Sequence, residues 1–392
     1  MELLNRQEYL TTEESLYPSF EGEKYYKFAE PPTPFILESG MSLGPITINY
    51  QTYGKLSPEK NNVIYLEHAL TGGSLVGEPP HSGKENGWWE PLVGPGKALD
   101  TNRFFIVCSN VLGGCYGSTG PASLDLRRGK PFGMRFPVIT IKDMVRAQKI
   151  LLEQLGVEKL LAVIGGSMGG MQALEWAVTY PKMVESIIAI GCSGQFSPIG
   201  IAFNQAARMA IMNDPSWQNG EYYGKEFPTN GLSLARIIAN ITYRSNESFE
   251  KRFGRLLQKA ENSNTFSFYE QFAVESYLHH QGEKLTQRFD PNTYMYLTKA
   301  MDLHDLGRGY VSYQAALERI RSKVFLLGMS SDILFYPSEV RGLAVDMRRC
   351  GVDASYDELK SPHGHDAFLI EFEQMESYIK SCLEEVENNR PE

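Results

Sequence analysis

Residues Leu160–Trp176 read LLAVIGGSMGGMQALEW and contain the most informative pattern of the chain. This stretch begins with an apolar run over residues 160–164, passes through the pattern G-x-S-x-G centred on Ser167, and continues with apolar residues at helical spacing. A buried strand, a sharp turn and a helix form the context in which this pattern marks a nucleophile elbow. The sequence therefore predicts that Ser167 is a nucleophile held in a strained turn. The alternative interpretation is a Gly-rich turn whose serine only caps the following helix.

Other short apolar runs in the chain are similar to the one that precedes this serine. Such runs are typical of parallel strands that are buried on both faces. They are Val63–Leu66, Phe104–Cys108, Ser186–Ile190 and Val324–Leu327. Ile46–Gln51 alternates apolar and polar residues, which predicts a half-buried strand, and Thr140–Gly156 has the capping pattern and amphipathic spacing of a helix. Alternating strands and helices indicate an α/β fold with a doubly wound, mostly parallel sheet.

The alternation of strands and helices stops after Ile190 and resumes at Val324. Between these points the sequence shows only helical patterns, rich in Met, Tyr, Phe and Asn. We therefore expect a core in two parts, residues 1–193 and 318–392, with a helical lid insertion over residues 194–317. Within the first part, residues 1–34 are expected to form an N-terminal arm. Inserted segments of this kind often cover a site at the carboxyl edge of the sheet.

The composition argues against several function classes. The 392 residues include 38 Lys and Arg against 47 Asp and Glu, a net charge of −9 without a basic stripe, so no nucleic-acid partner is expected. No apolar run approaches the roughly 18 residues that span a bilayer, and the first residues lack a signal-peptide pattern, so no membrane partner is expected. The five cysteines are scattered without a C-x-x-C pair, which favours the reducing cytoplasm over a disulfide scaffold.

A serine nucleophile requires a base, and the base requires an orienting acid. On a scaffold of this type the chain order is serine, acid, histidine. Asp332 is the only acid in the loop after the strand at Val324–Leu327 and is the predicted acid. Of the two histidines that follow, we prefer His365 to His363, because Gly364 precedes it and a helical start follows it, which places it at a turn tip. No metal is expected, because this pair lacks further ligands at recognisable spacing.

Two backbone N–H groups are expected to bind the oxyanion that forms during attack by the serine. One belongs to Met168, the residue after the nucleophile. The other comes from the loop His68–Gly73, which follows the strand at residues 63–66. His68 itself precedes the acid in the chain, so a structural role is predicted for its ring.

Several segments of the chain together resemble homoserine O-acyltransferases of the MetX type, a family of the α/β-hydrolase superfamily. The resemblance extends over about residues 33–380, through the core and the insertion. It rests on the nucleophile segment 166–176 and on shorter motifs elsewhere. These motifs include His68–Gly72, Val93–Lys97, Ser109–Cys115, Phe136–Thr140, Leu234–Arg236, Ile241–Tyr243, Ser330–Phe335 and Gly364–Leu369.

The resemblance implies an α/β-hydrolase fold and transfer of an acyl group from acyl-CoA to the side-chain hydroxyl of L-homoserine, toward methionine. In the implied ping-pong route, Ser167 is acylated, His365 is the base and Asp332 orients it. The amides of Leu70 and Met168 bind the oxyanion. The donor is expected to be acetyl-CoA, with succinyl-CoA as the alternative, and no cofactor is bound permanently. The resemblance also implies a homodimer whose contact is built by the helical insertion.

The resemblance further assigns Arg236, Tyr243 and Asp366 to the acceptor substrate. Arg236 would bind the α-carboxylate and Asp366 the α-ammonium, pairings that suit a bidentate guanidinium and a carboxylate. From the residues alone, Arg236 would be interpreted as part of an ion pair on the helix surface or within the lid.

Other functions remain open to a chain with these residues. A serine esterase or thioesterase would use the same triad and oxyanion site, but it would admit water rather than a charged amino acid. A relative that acylates L-serine is also possible, since the two acceptors differ by one methylene, worth only about 1–3 kcal/mol of discrimination. A binding protein without enzymatic activity is disfavoured by the complete triad.

Overall fold

The structure is a computed structural model that describes residues 22–78, 87–258, 268 and 272–390. The strands in chain order are β1 Lys24–Phe28, β2 Phe35–Ile36, β3 Ser42–Leu43, β4 Ile46–Tyr53, β5 Val63–Glu67, β6 Phe105–Ser109, β7 Leu124–Asp125, β8 Lys130–Pro131, β9 Ala162–Gly166, β10 Ser186–Ile190, β11 Lys323–Met329 and β12 Ala354–Leu359. The α-helices are α1 Ile141–Gln154, α2 Met168–Thr179, α3 Pro198–Met212, α4 Thr229–Tyr243, α5 Asn246–Arg252, α6 Ala273–Thr286, α7 Pro291–Asp302, α8 Tyr313–Leu317, α9 Pro337–Arg349 and α10 Phe372–Asn388.

Eight strands form one sheet in the order β1-β4-β6-β5-β9-β10-β11-β12. The pairs β1/β4 and β4/β6 are antiparallel, and all the following pairs are parallel. Parallel strands place their carboxyl ends at the same edge of a sheet, and ligands of open α/β sheets bind outside that edge. The segments that follow β5, β9 and β11 therefore meet at one edge of the sheet. The fold is that of an α/β hydrolase, as the sequence predicts.

The central strands are buried on both faces. Consecutive side chains of a strand therefore belong to two different buried clusters. In β9, for example, Val163 belongs to the buried cluster that contains Met144 of α1, whereas Ile164 belongs to the one that contains Ile379 of α10. A side-chain period of two explains this division, and it requires apolar residues at every position of the strand. The continuous apolar runs in the sequence have this structural cause.

Helix α1 confirms the prediction for residues 140–156. Thr140 precedes the helix, and its hydroxyl accepts a hydrogen bond from the Asp143 backbone N–H at 3.2 Å. The Asp143 carboxylate accepts in return from the Thr140 N–H at 3.1 Å, which completes a capping box. The helix ends at Gln154, and Gly156 follows with φ of +71°, a conformation that glycine adopts without strain.

Strand β9 differs from its prediction in its bounds. The strand was expected at residues 160–164, but it runs from Ala162 to Gly166, because Gly165 and Gly166 pair with β10 and Gly165 also pairs with β5. The two glycines therefore extend the strand up to Ser167. Leu160 makes only an isolated bridge to Val184.

The described part of residues 194–317 contains helices α3–α8, short 3₁₀ turns and isolated bridges, but no strand. This agrees with the helical content expected there, and the division into a core and an inserted lid stays a prediction. Within the expected arm over residues 1–34, which stays a prediction, Lys24–Phe28 form β1, and this strand pairs with β4 at the sheet edge. Residues 1–21 of that arm lie outside the described residues.

Among the described residues, no helix combines the length and apolar character needed to cross a membrane. The same part of the chain contains no group of three or more His, Cys, Asp or Glu side chains that could hold a metal ion.

Candidate active site

Ser167 lies at the sharp turn between β9 and α2. Its φ of +60° and ψ of −124° fall outside the regions that a residue with a Cβ adopts freely. Its backbone N–H donates to the Ile190 carbonyl at 2.8 Å, and its side chain makes no capping hydrogen bond to the helix. The geometry is that of a nucleophile elbow, and the alternative of a simple capping serine does not describe it.

The glycines around Ser167 allow the turn to pack against its neighbours. A Cβ built on Gly165 would lie 2.5 Å from the Gly169 backbone, and one on Gly169 would lie 2.2 Å from the Glu67 carbonyl oxygen. Both distances are far below van der Waals contact. The turn can therefore approach β5 and helix α2 only with glycine at these positions.

His365 and Asp332 form a buried pair next to this turn. The His365 Nδ1 and Asp332 Oδ2 atoms are 2.7 Å apart, and both residues are almost fully buried. The other oxygen of Asp332, Oδ1, accepts from the backbone N–H groups of Leu334 at 2.8 Å and Phe335 at 3.0 Å. Because these bonds stabilise the carboxylate, Nδ1 of the ring is the donor, and Nε2 is the nitrogen left to accept a proton.

The Nε2 atom of His365 is buried and has no hydrogen-bond partner among the described residues. Burial lowers the pKa of the ring, but the charge and hydrogen bond of Asp332 and the charge of Asp366 together outweigh this effect, and the pKa of His365 is raised above its ordinary value. His363 is placed differently, since it is partly exposed and its Nε2 lies 3.9 Å from a Glu371 oxygen. The structure therefore pairs His365, and not His363, with Asp332.

The loop after β5 carries Leu70 to the same place. Leu70 and Ser167 line one cavity, and neither the Leu70 N–H nor the Met168 N–H has a protein acceptor among the described residues. His68 holds the loop in place, because its Nδ1 donates to the Ala69 carbonyl at 2.8 Å and its Nε2 accepts from the Val111 N–H at 3.1 Å. Burial lowers the pKa of His68 to about 4, so this ring is neutral and has the structural role predicted for it.

The cavity lies between the sheet edge and helices of residues 194–317. Its described lining contains no Lys and no Arg. The lining residues are Leu70, Ser167, Phe196, Phe203, Asn204, Ala207, Ile238, Ala239, Thr242, Tyr243, Tyr294, Met301 and Leu334. Two lining residues also contact the His365–Asp332 pair. The Leu334 backbone N–H donates to the Asp332 carboxylate, and the centroid of the Tyr243 ring lies 5.8 Å from that of the His365 ring.

The three residues predicted to bind the acceptor lie together beside His365. The Arg236 guanidinium lies over the Tyr243 ring at 5.6 Å from its centroid. Asp366 follows His365 in the chain, and burial raises the pKa of its carboxyl group, whereas the charges of Arg244 and Arg236 lower it. A cation and an anion near one another could bind the two charged groups of an amino acid.

The structure also places residues here that the sequence analysis does not anticipate. Arg244 Nη2 lies 3.2 Å from Asp366 Oδ2, so the predicted ammonium site already holds an ion pair. The Phe335 ring stacks on His365 at 5.2 Å between centroids. Arg288 Nη1 donates to the Thr71 carbonyl at 2.9 Å, which ties the loop after β5 to the helical segment. No local pattern signals these contacts, because each joins residues that are far apart in the chain.

The chain matches the alpha/beta hydrolase fold family over residues 62–371. This match and the sheet order define the class of the protein as an α/β hydrolase.

Comparisons with individual proteins show to which family of α/β hydrolases the chain belongs. The chain is 49% identical over 366 residues to the homoserine O-acetyltransferase of Deferribacter desulfuricans, a match that covers 93% of this chain and 96% of that protein. It is 51% identical over 366 residues to the homoserine O-acetyltransferase of Symbiobacterium thermophilum, with 93% and 95% covered. The chain belongs to the homoserine O-acetyltransferase family of α/β hydrolases.

Solved structures show the same relationship. The crystal structure of homoserine O-acetyltransferase from Bacillus anthracis superposes with a TM-score of 0.86 at 30% identity, covering 95% of this chain and 99% of that chain. The structure of esterase E22 superposes with a TM-score of 0.84 at 28% identity, covering 92% and 99%. The same architecture thus occurs in a transferase and in an esterase, so the residues of the site, and not the fold, determine the acceptor.

Proposed function

We propose that this protein transfers an acetyl group from acetyl-CoA to the side-chain hydroxyl of L-homoserine, through an acetyl ester on Ser167. The observation that carries the proposal is the arrangement of Arg236 and Asp366 beside the buried His365–Asp332 pair. An esterase needs no charged groups at this position, because its acceptor is water. The family of the chain supports the same acceptor.

The first half-reaction would begin when Nε2 of His365 removes the hydroxyl proton of Ser167, whose oxygen attacks the thioester carbonyl. The N–H groups of Leu70 and Met168 would stabilise the oxyanion that forms. When this intermediate collapses, the bond to sulfur breaks, His365 returns the proton to the departing sulfur, and CoA leaves as a thiol. Ser167 then carries the acetyl group as an ester.

The second half-reaction would use the same groups in reverse order. Arg236 would bind the α-carboxylate of homoserine and Asp366 its α-ammonium, so that the hydroxyl lies at the acetyl ester. His365 would remove the hydroxyl proton, the hydroxyl oxygen would attack the ester carbonyl, and Ser167 would regain its proton as O-acetylhomoserine leaves. Because bound homoserine holds its hydroxyl at the ester carbonyl, it reacts with the acetyl ester faster than water does.

The cavity favours acetyl over succinyl as the transferred group. A succinyl group carries a distal carboxylate, which needs a cation or several donors when it is removed from water. The described lining of the cavity offers no Lys or Arg. Arg236, which lies nearby, is needed for the acceptor. Acetyl-CoA is therefore the proposed donor, bound only during turnover.

We also propose that residues 194–317 act as a lid and as the contact of a homodimer. Apolar side chains that are 40% or more exposed occur on helices α3 and α4 of this segment, namely Ile199, Met209, Met212, Leu234 and Ile241. Pairing with a second copy would remove them from water. Light scattering after gel filtration should give about twice the 44.1 kDa of one chain, and a mass of one chain would refute the dimer.

The proposal is tested by measuring CoA release with acetyl-CoA or succinyl-CoA as donor and L-homoserine, L-serine or water as acceptor. We expect the highest kcat/KM for acetyl-CoA with L-homoserine, and we expect no turnover by Ser167→Ala. CoA release at the same rate without any amino acid would identify a thioesterase instead. A higher kcat/KM for L-serine, or for succinyl-CoA, would assign the enzyme to a different acceptor or donor.

A further inference from the structure

A buried cluster of polar side chains lies close to the turn that carries Ser167, where Gln172 bonds to the Met168 carbonyl. It consists of Glu67 at the end of β5, Gln148 on α1, and Gln172 and Trp176 on α2, and is called the Gln172 cluster below. None of the four side chains is exposed to solvent. Apolar side chains would fill this space without the cost of burying polar groups, so the polar atoms call for a specific explanation.

Hydrogen bonds within the cluster fix the orientation of Gln172. Gln148 Nε2 donates to Glu67 Oε2 at 2.8 Å and to Gln172 Oε1 at 2.9 Å. Trp176 Nε1 donates to Glu67 Oε1 at 2.9 Å. The carbonyl oxygen of the Gln172 amide is therefore held by α1, and its NH₂ group must point in the opposite direction.

The NH₂ group of Gln172 reaches both segments that carry the proposed oxyanion donors. Its Nε2 donates to the His68 carbonyl at 3.4 Å and to the Met168 carbonyl at 3.3 Å. His68 lies two residues before Leu70, and Met168 carries the other donor itself. One side-chain amide thus joins the loop after β5 to the first turn of α2.

The two joined segments are already in direct contact. The Gly169 backbone lies so close to Glu67 that an added Cβ would be 2.2 Å from the Glu67 carbonyl oxygen. Glycine at this position lets the segments approach each other, but it does not fix how one slides along the other. A hydrogen-bonded amide shared between the two segments restricts that movement.

We propose that Gln172 is a positioning residue that sets the spacing between the Leu70 and Met168 N–H groups, and that Glu67, Gln148 and Trp176 hold it in place. This inference rests on the oxyanion site of the proposed function. Donors of this kind act only when they lie at the position that the oxyanion will occupy, so small displacements are costly. The role concerns the two tetrahedral intermediates and not the binding of either substrate.

The test is the variant Gln172→Met, which keeps the length of the side chain and removes both its donor and its acceptor. The rate of Ser167 acetylation by p-nitrophenyl acetate should fall about tenfold or more, since loss of a whole oxyanion donor costs about 10²–10³-fold. The kcat with acetyl-CoA and L-homoserine should fall by a similar factor, with the KM for L-homoserine unchanged. The affinity for n-butylboronic acid, whose adduct with a serine is tetrahedral, should fall in parallel.

Ser186→Ala is the matched control, because it removes another buried hydrogen bond, from the Ser186 hydroxyl to the Leu161 carbonyl at 2.6 Å, away from the oxyanion segments. Gln148→Met is a second variant that releases Gln172 without changing it, and a smaller loss of the same kind is expected. If Gln172→Met reacts with p-nitrophenyl acetate as fast as the wild type, or if Ser186→Ala loses as much, the inference is wrong. If the wild type itself is not acetylated, the proposed function fails instead.

Discussion

At the scale of single residues, the two nitrogens of His365 are in different situations. Nδ1 is hydrogen-bonded to Asp332 Oδ2 at 2.7 Å, whereas Nε2 is buried and has no hydrogen-bond partner among the described residues. A buried acceptor without a hydrogen-bond partner destabilises the folded protein. Such acceptors are common in sites where a substrate supplies the missing hydrogen bond. The free nitrogen is thus the position at which a proton is expected to be transferred.

The first prediction concerns pH and Asp332. His365 must be neutral to act as a base, and its pKa is raised above the ordinary value of about 6.5, so activity should fall as pH decreases through a midpoint above that value. Asp332→Asn removes the largest of the causes that raise the pKa of His365. Its kcat/KM should fall by about 10³–10⁴-fold, and the midpoint of the remaining activity should move to lower pH. Rate–pH profiles of both proteins check this, and a loss of tenfold or less would mean that the acid is wrongly assigned.

The second prediction separates acceptor binding from acylation. Arg236→Ala should leave the release of one CoA per site nearly unchanged in the absence of L-homoserine. Loss of the contact to the α-carboxylate should cost roughly 2–5 kcal/mol, which is a fall of about 30-fold or more in kcat/KM for L-homoserine. Hydrolysis should then become the main fate of the acetyl group.

Arg252→Ala is the matched control, since Arg252 also lies over an aromatic ring in the helical segment, 4.5 Å from the Tyr277 centroid, but is not among the residues of the proposed site. Its kinetics should equal those of the wild type. Equal loss of acylation and transfer in Arg236→Ala would show that Arg236 has a structural role or binds CoA.

At the scale of secondary-structure elements, the junction of β5, α1 and α2 contains an ionisable group that the fold buries completely. Burial raises the pKa of Glu67 to about 8, while hydrogen bonds from Trp176 and Gln148 lower it in part. The folded protein therefore holds this proton to higher pH than the unfolded chain does. The contribution of Glu67 to the free energy of unfolding is then most favourable near pH 4.5 and below, and it decreases as pH rises to about 8.

The third prediction follows from this sign. Between pH 5.5 and pH 8.5, the Tm of the wild type should fall more than the Tm of Glu67→Gln, whose side chain cannot ionise. The extra loss in the free energy of unfolding of the wild type should be about a few kcal/mol. Glu384→Gln, which changes an exposed carboxylate, should follow the wild type. Thermal unfolding over this range of pH provides the measurement, and parallel curves for wild type and Glu67→Gln would show that Glu67 does not titrate as described.

The elements could be predicted from the sequence to different degrees, and the reasons are local. Strands buried on both faces and the capping box at Thr140 have patterns within a few residues, so β10 and α1 are confirmed closely. The end of β9 was missed because Gly165 and Gly166 are poor strand formers, and only their pairing with β10 makes them part of the strand. The strand β1 was missed because an edge strand depends on the partner it finds, here β4.

At the scale of the whole molecule, the sequence predicts the chemical groups of the site better than their contacts. The order of serine, acid and histidine is readable along the chain, and the fold brings His365 and Asp332 within 2.7 Å. The pair Arg244–Asp366 and the bond from Arg288 to the Thr71 carbonyl join residues more than 100 positions apart. Such contacts depend on how the helical segment packs on the core, which no local pattern specifies.

The packing of that segment also sets the chemistry that the site can perform. The cavity is lined by the core residues Leu70, Ser167 and Leu334 and otherwise mainly by residues of the helical segment. In the proposed site the core provides Ser167, and the helical segment provides Arg236 and Tyr243. The proposed transfer to homoserine therefore uses residues from both parts of the chain.

In the proposed reaction, the acetyl group passes through Ser167 on its way to homoserine. The direct measurement is the intact mass of the protein after brief incubation with acetyl-CoA alone, followed by peptide mapping and then by addition of L-homoserine. We expect one acetyl group per chain on the peptide that contains Ser167, its loss on addition of L-homoserine with formation of O-acetylhomoserine, and no label in Ser167→Ala. A label on another residue, or full turnover by Ser167→Ala, would contradict it.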